Sequence, residues 1–107
     1  MKKKEMVKII NKSIHEGSVA LNCMNTVNTA LRGLDTKKAQ QMRGVESIIN
    51  KKTYHCHLID MNDGTERWSI VEIVNKGIGE YGLPKLRYYR RGSMPNDEFR
   101  KLLKKAS

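Results

Sequence analysis

The sequence predicts an α+β fold: N-terminal helices packed on one face of a three-stranded antiparallel sheet, with a short C-terminal helix. Three observations carry that expectation. Apolar residues recur at helical spacing up to about residue 50 and alternate with a period of two from residue 53 onward. Asn62-Asp63-Gly64 stands between two runs rich in β-branched and aromatic residues, as a hairpin turn does. All four tyrosines and the only tryptophan fall within residues 53–91. A chain of 107 residues supports one modest core. The expected organisation is therefore a single domain: a basic flexible arm over 1–4, a helical part over 5–50, the sheet over 53–91 and a helix over 95–105.

Taken in order, Lys2, Lys3 and Lys4 form a solvated arm. Met6, Ile9, Ile10 and Ile14 then make one apolar face of a helix over 5–16. Gly17 ends it, and Ser18 is an N-cap for the next. Over 19–32, Ala20, Leu21, Cys23, Met24, Val27, Ala30 and Leu31 form a broad apolar stripe opposite Asn22, Asn25, Asn28 and Thr29. Gly33 stops that helix. Asp35 or Thr36 caps a third helix over 37–50, with Ala39, Met42, Val45, Ile48 and Ile49 inward. Gly44 costs this helix about 1 kcal/mol relative to alanine. The pair joined by Gly33-Leu34-Asp35 also fits a helix-turn-helix aiming Lys37, Lys38, Gln40, Gln41 and Arg43 at a major groove. An ordinary helical hairpin covering a sheet accounts for the same pattern and is the expectation adopted.

The hairpin register decides what the sheet presents. A two-residue Asp63-Gly64 loop mixes polar and apolar residues on both faces. A three-residue loop, with Gly64 left-handed, pairs Leu58 with Trp68 and Cys56 with Ile70. It gathers Tyr54, Cys56, Leu58, Trp68 and Ile70 on one face and leaves His55, His57, Arg67 and Ser69 on the other. Val71 and Ile73 fall on that second face, so its far end is expected to be covered. A glycine-rich connection leads to a third strand over 85–90, with Leu86 and Tyr88 inward and Arg87, Tyr89 and Arg91 outward. Gly92 breaks it. Ser93 or Asn96 caps the last helix, whose Asp97 and Glu98 come early and whose Arg100, Lys101, Lys104 and Lys105 come late, as the helix dipole favours. Phe99, Leu102 and Leu103 dock it on the core.

Lys+Arg 21 against Asp+Glu 11 gives a net charge of +10, with a pI near 9.8. Such a charge concentrates polyanions at the surface, so nucleic acid, DNA or RNA, is the expected partner and an acidic protein surface the alternative. No apolar run approaches membrane-spanning length, and the basic start lacks the apolar region of a signal peptide. Two cysteines in such a chain read as reduced thiols. A cytoplasmic location without membrane contact is expected.

Two eye-catching motifs lose their specific meaning on inspection. Gly77-Ile-Gly79-Glu-Tyr-Gly82 has the spacing of a dinucleotide fingerprint, but Leu83-Pro84 follow where a helix must begin. His55-Cys56-His57 resembles a metal cluster, yet strand alternation sends the imidazoles one way and the thiol the other. His15 and Cys23 supply no further ligands at useful spacing. Neither a metal nor a cofactor is expected. Two imidazoles beside Arg67 also fit acid–base cleavage of RNA, which keeps a His-based ribonuclease as a second alternative.

The interleaving of Lys85, Arg87, Tyr89, Arg90 and Arg91 is the most informative feature. Cations neutralise phosphates and release counterions, and a sheet-borne tyrosine offers bases a stacking platform. The same charges also protect an edge strand from strand addition. The expected nucleic-acid contacts are Arg67, Lys85, Arg87, Tyr89, Arg90, Arg91, Arg100, Lys101 and Lys104, with His55 and His57 on the same open face. The segment YYRRGSMPNDEFRKLL resembles the strand-to-helix junction of positive-cofactor-four-type single-strand-binding proteins. It covers under a quarter of the chain, and three preceding helices are not part of that family's pattern, so no residue role is carried over. The expected function is a non-enzymatic nucleic-acid-binding protein. The alternative is a phage-like or mobile-element-like adaptor or inhibitor that docks on an acidic host protein.

Overall fold

The computed structural model describes residues 1–20, 23–35 and 37–106. Leu21 and Asn22, expected in the second helix, and Thr36, an expected cap, lie outside the described residues. The elements run α1 (Lys3–Glu16), β1 (Ser18–Val19), α2 (Met24–Leu31), β2 (Gln40–Ile49), β3 (Lys52–Asp60), β4 (Glu66–Ile78), β5 (Pro84–Pro95) and α3 (Asn96–Ala106), with a 3₁₀ turn at Glu80–Gly82. The strands form one sheet in the order β1-β2-β3-β4-β5, antiparallel throughout.

Five strands replace the expected three. The added ones are β1 and β2, and β2 occupies the stretch expected to be the third helix. Its apolar residues satisfy either period, and tertiary contacts decide between them. Asn50 and Lys51 both adopt positive φ (51° and 65°), which closes a two-residue hairpin onto β3. Gly44, a defect in a helix, is a requirement here. A Cβ on it would sit 2.9 Å from the Ala20 carbonyl oxygen and 3.0 Å from Nδ1 of His57.

The β3–β4 hairpin adopts the three-residue register, with Leu58 opposite Trp68, Cys56 opposite Ile70 and Asp60 opposite Glu66. Gly64 takes φ 87°. Tyr54, Cys56, Trp68 and Ile70 accordingly join Met6, Ile9 and Ile10 of α1 and Phe99 of α3 in the main core. Ser13 lets α1 lie close to the strands: its hydroxyl donates to the Ile9 carbonyl at 2.7 Å and sits 2.6 Å from the Ser47 hydroxyl. Gly92 leaves room for Met6, whose Sδ lies 2.5 Å from where a Cβ would be. It does not break β5, which runs on to Pro95.

The helices do not share a face. α1 and α3 cover one side of the sheet, and α2 covers the other, where Ala30 packs with Ala39, Ile59 and Val71 in a second cluster. Ile59 and Val71 alternate out of the main core, so their face needs its own cover. α2 is also shorter than expected, eight residues from Met24 to Leu31.

β4 and β5 outrun their neighbours. The last β3–β4 partner pair is Thr53–Ile73, whereas β4–β5 pairing continues through Val74–Arg87 to Ile78–Pro84. Residues 74–87 thus project as a two-stranded ribbon, closed where the Gly79 amide donates to the Leu83 carbonyl at 2.7 Å. The radius of gyration, 14.1 Å, exceeds the roughly 13 Å of a compact chain of this size, as a projecting ribbon requires. Among the described residues, no helix is long and apolar enough to cross a membrane.

Candidate nucleic-acid interface

Strand register sorts the basic residues of β4 and β5 between the two faces. Tyr54 lies opposite Glu72 and Glu72 opposite Tyr89, so Tyr89 belongs to the face of α1. Alternation places Arg87 and Lys85 there too, and Arg87 faces Val74 across the ribbon. Lys76 joins them, its Nζ 5.9 Å from the Tyr89 ring centroid, while the Arg91 guanidinium sits 4.6 Å from the same centroid. Such cation–π contacts fix the tyrosine between two positive groups.

These cations are not equivalent. Arg91 Nε donates to Glu72 Oε1 at 2.9 Å, and the Glu72 side chain is only 11% exposed, so the Arg91 charge is balanced within the fold. Lys76, Lys85 and Arg87 are exposed and have no ion pair among the described residues. Lys52 alternates onto the same face and, with Lys8, Lys12 and Tyr54, lines a groove of about 630 Å³ between α1 and the β2–β3 turn. Burial, with Glu72 adding to it, raises the Tyr54 phenol above its ordinary pKa.

The other expected contacts lie elsewhere. β5 carries one extra residue, Arg91, opposite the Ile70–Val71 step of β4, and this bulge shifts its pairing by one. Arg90 therefore sits opposite Val71 on the face of α2, where its guanidinium donates to the Arg32 carbonyl at the end of that helix. Arg67 lies at the opposite end of β4 and donates from Nε to the Ser93 hydroxyl at 2.8 Å. Arg100, Lys101 and Lys104 are exposed on α3, which begins beside Trp68: the indole donates to Asn96 Oδ1 at 3.0 Å, and Phe99 meets the ring edge-on.

His55 and His57 do not look outward with Arg87 and Tyr89. They point to the opposite face and α2 closes over them, leaving His55 2% and His57 0% exposed. His55 Nε2 lies 2.8 Å from Glu46 Oε2 and Nδ1 lies 3.1 Å from Thr26 Oγ1. This acid–imidazole–hydroxyl line has the order of a catalytic relay, but the Thr26 hydroxyl is fully buried and donates to the Cys23 carbonyl at 2.9 Å. What it does in this arrangement is tie α2 to the sheet. His57 Nδ1 meets Gln41 Oε1, and its Nε2 has no hydrogen-bond partner among the described residues. Burial, with His55 nearby, holds the His57 pKa down to about 4, so the ring is neutral at ordinary pH. Ser69 donates to the Ala30 carbonyl at 3.1 Å.

Cysteine chemistry is equally confined on Cys56. Burial pushes its thiol up to about 11, and it donates to the Ser13 hydroxyl. Among the described residues, no three His, Cys, Asp or Glu side chains converge as a metal site would need.

Two contributors to the cationic face escaped the sequence reading. Lys76 was hidden in a stretch read as a glycine-rich connection; it falls in the register shift between Asn75 and Ile78, and its contact with the Tyr89 ring gives its face. Lys52 follows from the β2–β3 turn, for which the signal was Asn50 followed by Lys51. No family model, curated protein or solved structure matches the chain.

Proposed function

We propose that this protein binds nucleic acid through the cationic face of the β4–β5 ribbon, without catalysing a reaction on it. One observation carries the reading. Lys76, Lys85 and Arg87 share one face of a projecting two-stranded ribbon, and none has an ion pair among the described residues. A charge held unpaired on a projecting arm is available to a phosphate, and its counterion is released on binding. A two-stranded ribbon is also of a width that the major groove of a duplex accepts. Lys52 and Lys8 add positive charge at the α1 groove, whose lining also includes Glu5 and Glu16.

Tyr89 has a different part from the one its sequence neighbours indicate. With Arg91 over its ring, it braces the cations, and base stacking falls to whatever aromatic group stays open. Tyr81 at the ribbon tip, 94% exposed, is that group.

The test is the salt dependence of binding to a short duplex and to a single strand of the same sequence. Each phosphate contact contributes about −0.9 to the slope of log affinity against log salt on a duplex, and about −0.7 on a single strand. Arg87→Ala and Lys85→Ala should each make the slope shallower by about 1. Absence of binding to any DNA or RNA at low ionic strength overturns the proposal.

A second reading, docking on an acidic protein, draws on the exposed apolar side chains at the tip, Ile78, Tyr81 and Leu83. Apolar and aromatic groups ringed by charge are the usual make-up of a protein interface. A partner that stays bound after nuclease treatment and leaves when Tyr81 and Leu83 are replaced by serine favours it.

A further inference from the structure

Residues 79–83 close the end of the ribbon, and their backbone is bonded within itself. The Gly79 amide donates to the Leu83 carbonyl at 2.7 Å, and the Leu83 amide to the Glu80 carbonyl at 3.3 Å. Tyr81, inside that turn, has a left-handed backbone (φ 59°, ψ 21°). It is 94% exposed, and among the described residues no other ring and no cation lies against it. Both faces of its ring are therefore open, whereas Arg91 and Lys76 flank the ring of Tyr89. Leu83 and Ile78 at the same tip are 63% and 81% exposed.

We propose that this tip is a wedge. Tyr81, backed by Leu83, inserts between two base pairs of a duplex, and the protein prefers a duplex whose stacking a mismatch has already weakened. The inference rests on the nucleic-acid reading above and narrows its target. Reach supports it. Val74 and Arg87 pair in the first row beyond β3, and Leu83 lies four residues past Arg87, about 14 Å along the strand. A major groove is about 8.5 Å deep. Lys85, halfway between, stands about 7 Å behind Leu83. With the tip against the base edges, Lys85 and Arg87 thus bracket the level of the phosphates at the rim.

Glu80 selects among partners. It is the one acidic residue between positions 74 and 87, and it lies next to Tyr81. Inside the apolar boundary of a membrane a carboxylate is a penalty, and an acidic protein repels it. At a base edge in the major groove it accepts from a cytosine amino group. An aromatic ring with two free faces has its complement in a base stack, since every base offers a π face. Opening a step costs least where the base is mismatched, so the preference falls there.

Two duplexes of one sequence, alike except for a central mismatch and carrying 2-aminopurine beside it, test the wedge. Anisotropy of an end label gives affinity, and 2-aminopurine emission reports stacking. The full chain should bind the mismatched duplex about tenfold or more tightly than the matched one and change the emission of both. Asparagine tolerates a left-handed backbone, so Tyr81→Asn with Leu83→Ser keeps the turn. That double variant should lose the preference and the emission change yet keep the salt slope, whereas Tyr81→Phe should retain all three. Lys85→Ala should make the slope shallower and keep the preference. Equal affinity for the two duplexes overturns the wedge while leaving the phosphate contacts standing. So does a preference that survives Tyr81→Asn with Leu83→Ser. Tip-dependent binding to anionic phospholipid vesicles, with no emission change on either duplex, assigns the tip to a membrane and also overturns it. Absence of binding to any duplex, matched or mismatched, overturns the duplex reading and the wedge with it.

Discussion

One face of the sheet treats its residues in opposite ways along its length. Under α2 it buries His55, His57 and Ser69, while farther along the same strands it leaves Ile48, Ile78 and Leu86 open to water. Polarity does not decide which is covered; the short reach of α2 does. The covered half is tolerable because nearly every buried polar atom there has a partner: Glu46 and Thr26 for His55, Gln41 for Nδ1 of His57, the Ala30 carbonyl for Ser69. The uncovered half is tolerable because exposed apolar side chains cost a folded protein little until they meet one another. The two halves therefore contribute differently: the first holds the fold together, and the second adds little to it.

The largest effects should separate these halves cleanly. Ile59 is fully buried beside Ala30 and Val71. Ile59→Ala should cost about 2–5 kcal/mol, from lost transfer energy plus the cavity left behind. Ile48→Ala, on the same face but 66% exposed, should stay within about 0.5 kcal/mol in dilute solution. Urea denaturation of both variants measures the contrast. Similar losses at the two sites would mean that α2 or another segment covers Ile48 as well.

Acid should open the covered half and spare the ribbon. His57 has a pKa of about 4 in the folded chain against an ordinary 6.5. Above pH 6.5 the ring is neutral whether the chain is folded or not, so it contributes no pH dependence there. As the pH falls from 6.5 to 4, the unfolded chain takes up a proton that the folded one resists. Stability should drop by about 3 kcal/mol over that window and level off below it. His57→Gln keeps a polar side chain but removes the titration. The difference in unfolding free energy between the two proteins, followed from pH 7.5 to 4, isolates this residue from carboxylates that titrate lower. A difference that does not change with pH would show that the ring is not held neutral.

Local chemistry made some of this legible from residues alone. Asn62-Asp63-Gly64 determines a hairpin within a few positions, and the polar–apolar alternation on either side admits only one sensible register. The amphipathic spacing of Met6, Ile9 and Ile10 and the charge order of α3 were equally self-contained. The failures were non-local. Val45, Ile48 and Ile49 fit a helix or a strand, and pairing with β3, with Gly44 close against the Ala20 carbonyl and His57, decides for the strand. A bulge at Arg91 shifts β5 by one residue, and nothing in YYRR announces it. The proposed common surface of His55, Arg67, Arg87 and Tyr89 depended on the faces of two strands agreeing across that bulge. They do not.

The smallest predicted effect tests the boundary between the faces. Arg90 lies next to Arg91 in sequence but on the face of α2, where its guanidinium donates to the Arg32 carbonyl and so caps that helix. A cation at a helix C-terminus contributes about 0.3–1 kcal/mol. Arg90→Ala should therefore lower stability by about that amount and speed amide exchange in the last turn of α2. On the proposed mode of binding it should leave the salt slope for nucleic acid unchanged, because a phosphate on the cationic face of the ribbon would not meet Arg90. Arg87→Ala should do the reverse, making the slope shallower by about 1 with little change in stability. Were both substitutions to change the slope equally, the two faces would not be distinct in the bound state, and the positive charge of β5 would act as one field rather than as a sided surface.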